Sequence, residues 1–316
     1  MNQPATLHRH LHLVRYLRPP YLYYSAKTLV DRLRGAGFTA STRTVERDIR
    51  DMRAEYGLQI TYDPARRGYY LDLPTPDDRA DFDAFVQLLE RRERLSFLSD
   101  AVGRVQHISR YLQLETNAQF VGAEHLPLLW EALRGGRAVR FAYQPYSVAP
   151  VRERIIEPGL IFEYRNRWYL DGWDPTVEEA NKMRTFGLDR MRNLTLTDQP
   201  VRVDRSEQYR NYRQHAIGVT CPPDQEPERV VLRFTAQEGQ YVKSLPLHPS
   251  QRTLRETADA VDVEMAVILN HELEREILAY GDEVEVLEPL TLRERIAKRL
   301  TRLAARYATQ PTPEPA

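Results

Sequence analysis

Apolar residues at helical spacing predict three helices within the first 56 residues. The first covers residues 8–17, and the second covers residues 25–33, where apolar side chains recur at i, i+3, i+4 and i+7. The third begins at Ser41, a residue type that favours helix N-caps, and it ends before Gly57. Short helices joined by a glycine-containing turn are typical of a helix-turn-helix.

The pattern changes after the third helix. Residues 59–62 and 68–71 flank a turn rich in Asp, Pro and Arg, which predicts a β-hairpin. Helical spacing resumes in residues 75–89 and continues through residues 98–112, so we expect a helical connector rather than an unstructured linker. A further helix, predicted over residues 126–133, ends at a pair of glycines.

From residue 138 onward the apolar period is two, the period of half-buried strands. The alternation predicts five short strands, which suggest a small barrel or a rolled sheet. The strands are predicted at residues 139–143, 156–162, 168–170, 186–188 and 194–196. Residues 201–227 are polar and contain several prolines, and we place a linker there.

Residues 228–308 predict the order strand, helix, strand, strand, helix, strand, followed by a final helix. This order is that of the ferredoxin-like arrangement, in which two βαβ units share one sheet. The predicted fold class is therefore multidomain α+β. The predicted parts are a winged helix-turn-helix, a helical connector, a small β-barrel, a linker, a ferredoxin-like domain and a disordered tail, at residues 1–73, 74–136, 137–200, 201–227, 228–308 and 309–316.

The third helix has an apolar stripe and an arginine-bearing face. The stripe, at i, i+4, i+7 and i+11, consists of Val45, Ile49, Met52 and Tyr56. Arg43, Arg47 and Arg50 lie two residues out of phase, about 200° round the helix. A helix that buries one face and presents arginines on the other has the form of a recognition helix in duplex DNA. The candidate DNA contacts are Ser41, Thr42, Arg43, Thr44, Arg47 and Arg50, with Arg66 and Arg67 of the hairpin.

A solvated surface face is the alternative interpretation of this helix. Glu46–Arg50 and Arg47–Asp51 are i, i+4 pairs that would stabilise any exposed helix. The preceding helix, the glycine turn and the following hairpin favour a winged helix-turn-helix instead. Asp48 and Asp51 indicate that the arginine face does not bind phosphate uniformly.

Charge and composition support the same division of the chain. The net charge of the 316 residues is zero, but residues 1–70 carry 12 Lys and Arg against 6 Asp and Glu, which favours a polyanion-binding module.

The single cysteine, Cys221, excludes an intrachain disulfide and a Cys-based zinc site, and it fits a reducing cytosol. We find no long apolar run and no signal peptide, so we expect a cytoplasmic protein with no membrane partner.

Several motifs match one family in order along the chain. The tripeptide Trp168-Tyr169-Leu170 lies on a predicted strand. Residues 154–161, RIIEPGLI, resemble a strand with the pattern R-x-x-x-P-x-x-L. Residues 184–191, RTFGLDRM, resemble a strand with the pattern R-x-F-x-L-D-R-I. STRTVERD at residues 41–48 is similar to a winged helix that precedes such strands, and residues 287–293 resemble a C-terminal extension called WCX. Together these segments resemble the WYL-domain regulators over nearly the whole chain.

The resemblance implies a small Sm-like, SH3-like barrel, the WYL domain, that binds an anionic ligand. Single-stranded nucleic acid and a nucleotide are the leading candidates for that ligand. The resemblance also implies a bacterial transcription regulator, mostly dimeric in this family, that acts in the DNA-damage response or in control of phage-defence islands. Double-stranded DNA, a second copy of the chain and RNA polymerase are the candidate macromolecular partners.

Five side chains of the predicted barrel are candidates for the anion site. They are Tyr143, Ser147, Arg154, Arg184 and Arg190. The arginines come from different strands and are expected to converge, since forked guanidinium donors with hydroxyl groups suit a phosphate. Structural ion pairing is the alternative, because Glu153 and Asp189 are adjacent to two of these arginines.

Two other functions stay open at this point. One is a nucleic-acid-processing enzyme fused to a DNA-binding domain, and the other is a ligand-free adaptor that recruits polymerase. The sequence has no P-loop, no G-x-S-x-G, no G-x-G-x-x-G and no acidic metal cluster, so we expect neither an enzyme nor a cofactor. His8 and His12 share a helix face, but no third ligand follows and no metal site is predicted.

Overall fold

The computed structural model of the protein describes residues 3–18, 22–73, 75, 78–79, 81–91, 122–146, 150–178, 182–222 and 225–308. The chain forms two compact units, residues 1–114 and 115–316. Three predicted features lie outside the described residues: the helix over residues 98–112, the candidate Ser147 and the disordered tail. Among the described helices, none has both the length and the apolar character that a bilayer crossing requires.

The first unit consists of helices and one hairpin. Its elements are α1 (Gln3–Leu17), α2 (Ala26–Gly35), α3 (Thr42–Tyr56), β1 (Ile60–Asp63), β2 (Gly68–Leu71) and α4, the helical residues 81–91. The hydroxyls of Ser25 and Ser41 cap α2 and α3 by accepting hydrogen bonds from the N–H groups of Thr28 and Thr44. Gly57 ends α3 at a φ of 70°, a left-handed conformation that glycine adopts without steric cost.

An ion pair is buried in the core of the first unit. Nε and a terminal nitrogen of Arg9 donate to Asp48 at 2.7 and 3.0 Å, and the Asp48 side chain is 0% exposed. The expectation that Asp48 lies on the arginine face is therefore wrong. Asp48 is three residues after Val45 and four before Met52, so helical spacing places it beside the buried stripe.

The charge state of Asp48 depends on this pairing. Burial alone would raise the pKa of Asp48, but His10 and Arg9 outweigh burial and lower the pKa to about 2. The carboxylate is therefore ionised at neutral pH and fixes α1 to the inner side of α3. The outer side of α3 remains open to solvent.

The second unit begins with a five-stranded antiparallel sheet. Its elements are α5 (Leu126–Arg134), β3 (Arg137–Tyr143), β4 (Arg152–Tyr164), β5 (Arg167–Trp173), β6 (Met183–Gly187) and β7 (Met191–Pro200), with strand order β6-β5-β4-β3-β7. Phe141, Ile156 and Leu170 form its core with α5. Trp168 is half-buried and packs against the same core.

A two-residue turn joins β4 to β5. Its central residues, Arg165 and Asn166, have φ values of 48° and 61°. Positive φ at both central residues is the feature of a type I′ turn, whose twist matches the twist of antiparallel strands. The turn therefore fixes the register of β4 with β5, in which Tyr164 faces Arg167.

A helix that the sequence analysis missed lies within the predicted linker. This helix, α6 (Ser206–Arg213), buries Tyr209 against the sheet. A Cβ atom on Gly159 would lie 2.0 Å from the Tyr209 ring, so only glycine allows this contact. The part of the predicted linker that forms α6 thus packs on the sheet as part of the second unit.

The remaining elements follow the predicted order. They are β8 (Glu228–Thr235), α7 (Ala236–Ser244), β9 (Arg252–Glu256), β10 (Ala260–Val267), α8 (His271–Ala279), β11 (Val284–Glu288) and α9 (Leu290–Ala308). The strand order is β11-β8-β10-β9, and each neighbouring pair is antiparallel. This is the order that two interleaved βαβ units produce. Asn270 caps α8 by accepting a hydrogen bond from the N–H of Leu273.

The buried ion pair predicts a pH-dependent stability of the first unit. Asp48→Ala leaves Arg9 unpaired in the core and should lower the free energy of unfolding by about 3–5 kcal/mol. Because the pKa of Asp48 is depressed, its contribution is complete above about pH 4 and is lost as the pH falls towards 2. Urea denaturation of both proteins across this pH range measures the difference.

Asp83→Ala is the matched control for this substitution. Asp83 pairs with Arg18 at 2.7 Å, but both side chains are about half exposed, so its loss should cost less than about 1 kcal/mol. An Asp48→Ala protein as stable as the control would contradict the assigned role of the buried pair.

Candidate functional site

The arginine face of α3 is exposed. Arg43, Arg47 and Arg50 all point away from the core, and Arg47 is 54% exposed. Within the described part of the chain, Arg43 and Arg50 have no carboxylate partner, and the two i, i+4 pairs of the solvated-face alternative do not form. Arg47 is 3.5 Å from the buried Asp48 carboxylate, its nearest acidic group among these residues. The face therefore presents guanidinium groups available to an external anion.

The start of α3 is ordered by its own side chains. The Ser41 hydroxyl accepts from the Thr44 N–H at 3.2 Å and lies 2.9 Å from the Thr44 hydroxyl. Both hydroxyls thus serve the cap, while Thr42 is exposed beside them. N–H groups of a first helical turn favour anions, so this end of α3 suits a phosphate.

Arg66 and Arg67 are exposed in the turn between β1 and β2. Asp63 shapes the turn, because one of its carboxylate oxygens accepts from the N–H groups of Ala65 and Arg66 at 2.8 and 3.1 Å. Arg67 adopts a φ of 51°. The turn thus holds two adjacent cations at the tip of the hairpin.

The second unit contains an open cleft between its first sheet and α8, with a volume of about 430 Å³. We name it the arginine cleft. Its lining residues are Tyr146, Tyr164, Arg165, Arg167, Tyr169, Arg190, Val219, Glu272 and Arg275. Arginine and tyrosine dominate this lining, and Glu272 is the only lining residue with a carboxylate.

Tyr146 organises one wall of the arginine cleft. Its hydroxyl donates to Asp189 at 2.7 Å and accepts from Arg167 at 3.1 Å, and the guanidinium of Arg190 lies 4.5 Å from the centre of its ring. Asp189 is also 3.8 Å from Arg167 and 3.5 Å from Arg190. One carboxylate therefore faces two guanidinium groups, which leaves this wall positively charged.

Two further tyrosines, Tyr164 and the buried Tyr169, line the cleft. The ring of Tyr169 stacks on Phe162 with centroids 5.2 Å apart and an interplanar angle of 18°. Burial raises the pKa of Tyr164 and the pKa of Tyr169, so both hydroxyls stay protonated at neutral pH and can donate hydrogen bonds. The arginine cleft therefore combines cations, neutral hydroxyl donors and aromatic faces.

Helix α8 supplies the opposite wall. Glu272 is held by Thr220, whose N–H and hydroxyl both donate to the same carboxylate oxygen at 3.1 and 2.9 Å. Arg165 of the β4–β5 turn pairs with Glu276. Arg275 has no partner among the described residues, so its charge is available to an occupant of the cleft.

The structure brings two of the residues predicted for the anion site into contact, because the guanidinium of Arg190 lies 5.3 Å from the centre of the Tyr143 ring. Of the four predicted residues that the structure describes, only Arg190 lines the arginine cleft. Arg154 donates to Asp174 at 2.9 Å, and because Asp174 is fully buried this pair is structural. Arg184 donates to the carbonyl of Met183, and the Tyr143 hydroxyl accepts from the Gly187 N–H at 3.2 Å. The expected convergence of the three arginines in one site is therefore not found in this cleft.

Sequence reasoning missed most residues of the arginine cleft. Arg167 and Tyr169 share a strand face opposite the buried Leu170, and that alternation was visible in the sequence. The basic and aromatic segment Tyr164-Arg165-Asn166-Arg167 was a further signal. Arg275 could not have been found in this way, because α8 reaches the cleft only through the packing of the second unit.

Comparison with solved structures gives weak overall similarities. The proteasome accessory factor B/C (PafBC) of Arthrobacter aurescens aligns with a TM-score of 0.35 and 20% identity, covering 99% of this chain and 48% of that chain. This chain thus spans about half the length of the solved protein. A CRISPR Cas-related protein aligns with a TM-score of 0.39 and 12% identity, covering 96% of this chain and 84% of that chain.

Sequence comparison finds relatives across most of the chain. Protein PafB of Mycobacterium leprae is 25% identical over 311 residues, which cover 86% of this chain and 87% of PafB. Protein PafB of Mycobacterium tuberculosis H37Rv is 25% identical over 299 residues, with 85% and 87% covered. Residues 124–196 match the WYL domain, and residues 226–304 match the WCX domain. The chain therefore carries a WYL domain followed by a WCX domain and matches the WYL-domain regulators.

Proposed function

We propose that this chain is a transcription regulator that binds duplex DNA through its first unit and an anionic, nucleic-acid-derived ligand through its second unit. The WYL domain and the similarity to PafB suggest a regulator of the DNA-damage response; control of phage defence is the alternative. In this proposal it acts in the cytoplasm as a homodimer, without a cofactor, and RNA polymerase is a further candidate partner.

The observation that carries the DNA-binding proposal is the arginine face of α3. Arg43 and Arg50 are exposed and unpaired among the described residues, while the opposite side of the same helix is fixed in the core. A guanidinium can bond to both O6 and N7 of guanine in the major groove, and other arginines can bind phosphates. The exposed turn with Arg66 and Arg67 adds two cations, as expected for the wing of a winged helix-turn-helix.

The arginine cleft supports the ligand proposal. Its volume of about 430 Å³ lies within the range of small-molecule sites, and its lining joins arginines to tyrosine rings. Arginine provides forked donors for phosphate, and an aromatic ring can stack on any of the nucleic-acid bases. A short single-stranded oligonucleotide or a nucleotide is the ligand class that uses both features.

An enzymatic function has less support. The grouping of metal-ligand types found in the described residues is His10, Asp48 and Asp51. Arg9 already donates to both carboxylate oxygens of Asp48, and the group belongs to the core between α1 and α3. We therefore propose that the chain is not an enzyme. A ligand-free adaptor remains the second candidate, and the single-stranded binding experiment below separates it from a sensor.

Arg43→Ala should weaken duplex binding without lowering stability, because the side chain is exposed. The loss of a base-directed arginine should cost about 1–3 kcal/mol in binding free energy. The measurement is the affinity of the full chain for a duplex from its own promoter at fixed salt. Arg192→Ala, which removes the same charge from an exposed position in the second unit, is the matched control. Equal affinities of the two variants would contradict the recognition-helix assignment.

Arg167→Ala and Arg190→Ala should weaken binding of a short single-stranded oligonucleotide. Removal of one arginine–phosphate interaction should reduce the slope of log affinity against log salt by roughly 0.7. Fluorescence anisotropy over a salt series measures both quantities. Duplex binding should be unchanged in these variants, because they leave α3 and the hairpin intact.

The reciprocal comparison tests the separation of the two sites. Arg43→Ala and the Arg192→Ala control should keep wild-type affinity for the single strand. A folded wild-type chain that binds no single strand or nucleotide at any salt concentration would favour the ligand-free adaptor.

A further inference from the structure

The two wing arginines differ in how the protein holds them. The Arg66 guanidinium lies over the ring of Tyr23, 4.3 Å from its centre, and one of its terminal nitrogens is 4.0 Å from an Asp63 carboxylate oxygen. Arg67, the next residue, has no partner among the described residues. Arg66 is nevertheless 60% exposed, so its contacts orient it without covering it.

Tyr23 is itself fixed to the hairpin. The neighbouring Tyr24 pairs with Tyr69 of β2 through two backbone hydrogen bonds of 3.0 and 2.8 Å. The rings of Tyr23 and Tyr70 have centroids 5.0 Å apart. A Cβ atom on Gly68 would lie 2.8 Å from the backbone of Tyr23 and Tyr24, so glycine is needed for this close approach. The residues just before α2 therefore lie against the wing through an isolated β-bridge.

The restraint on Arg66 suits a role in binding. A free arginine side chain loses up to about 2 kcal/mol of rotamer entropy when a ligand fixes it. A cation–π contact that restricts the side chain beforehand reduces this loss at the moment of binding. Because Asp63 holds the Arg66 N–H and Tyr23 holds its guanidinium, both ends of the residue are restrained.

We propose that Tyr23 is a positioning residue for DNA binding, which holds Arg66 in the direction in which the wing meets the duplex. The inference rests on the proposed DNA-binding function. It assigns to Tyr23, a residue outside both the recognition helix and the wing turn, a share of the affinity that Arg66 provides. Arg67 contributes independently of Tyr23.

A double-mutant cycle on the full chain tests this proposal. Tyr23→Leu, Arg66→Ala and the double variant are compared with wild type for binding to two duplexes of equal length, with A·T-rich or G·C-rich centres. Tyr23→Leu should weaken binding about two- to fivefold, the range of an exposed cation–π contact. It should have no effect once Arg66 is absent, whereas its effect should persist in an Arg67→Ala background.

Two variants are controls: one keeps the aromatic ring at position 23, and the other removes a different tyrosine of the hairpin. Tyr23→Phe keeps the aromatic face over which Arg66 lies, so it should retain most of the affinity. Tyr62→Leu removes a wing tyrosine that contacts Tyr69 rather than Arg66, and it should bind as wild type does. Thermal unfolding checks each variant; if Tyr23→Leu does not fold, Tyr23→Met replaces the ring with a flexible apolar chain.

The outcomes separate this inference from the function on which it rests. A wild-type chain that binds neither duplex would overturn the DNA-binding proposal and, with it, the role of Tyr23. Normal wild-type binding with additive effects of Tyr23→Leu and Arg66→Ala would overturn the positioning role alone. Tighter binding by Tyr23→Leu would also overturn it, since the ring would then hold Arg66 away from DNA.

Discussion

The arrangement of the second unit depends on one guanidinium group, that of Arg213. Its N–H groups donate to both carboxylate oxygens of Asp171, to the hydroxyl of Thr185 and to the carbonyls of Gly218 and Val219. Asp171 is buried in β5, and Arg213 ends α6, so the pair joins the WYL sheet to the segment that leads to the WCX domain. Loss of either partner would leave an unpaired charge in the interior.

The same contacts place the walls of the arginine cleft. Arg213 lies 3.9 Å from the centre of the Phe162 ring, which in turn stacks on Tyr169. On the other side, the Asn270 side chain donates to the carbonyls of Ile217 and Thr220 at 2.8 and 2.7 Å. Since Asn270 also caps α8, the segment of residues 217–220 links the tyrosine wall to the helix that carries Arg275. The cleft is thus a product of both domains, and neither domain forms it alone.

Local sequence patterns allowed much of the fold to be predicted. Contacts between residues distant in sequence could not be predicted from such patterns. The boundaries of α3 followed from Ser41 and Gly57, because capping acts over a few residues. Helical spacing places Asp48 beside the buried stripe, but no local pattern reveals that its partner is Arg9, which is distant in sequence. Helix α6 was missed because Tyr209 is its only buried side chain, which leaves no apolar stripe to detect. The cleft was missed for the related reason that its walls meet only in the folded unit.

The central claim is that duplex DNA and a single-stranded ligand bind at different places on one chain. Photo-crosslinking of each nucleic acid to the full protein, followed by mapping of the crosslinked peptides, tests it most directly. We expect the duplex to crosslink within residues 41–67 and the single strand to crosslink at peptides that contain Tyr164, Tyr169 or Arg275. Crosslinks of both nucleic acids confined to residues 41–67 would contradict the claim, because one site would then account for all nucleic-acid binding.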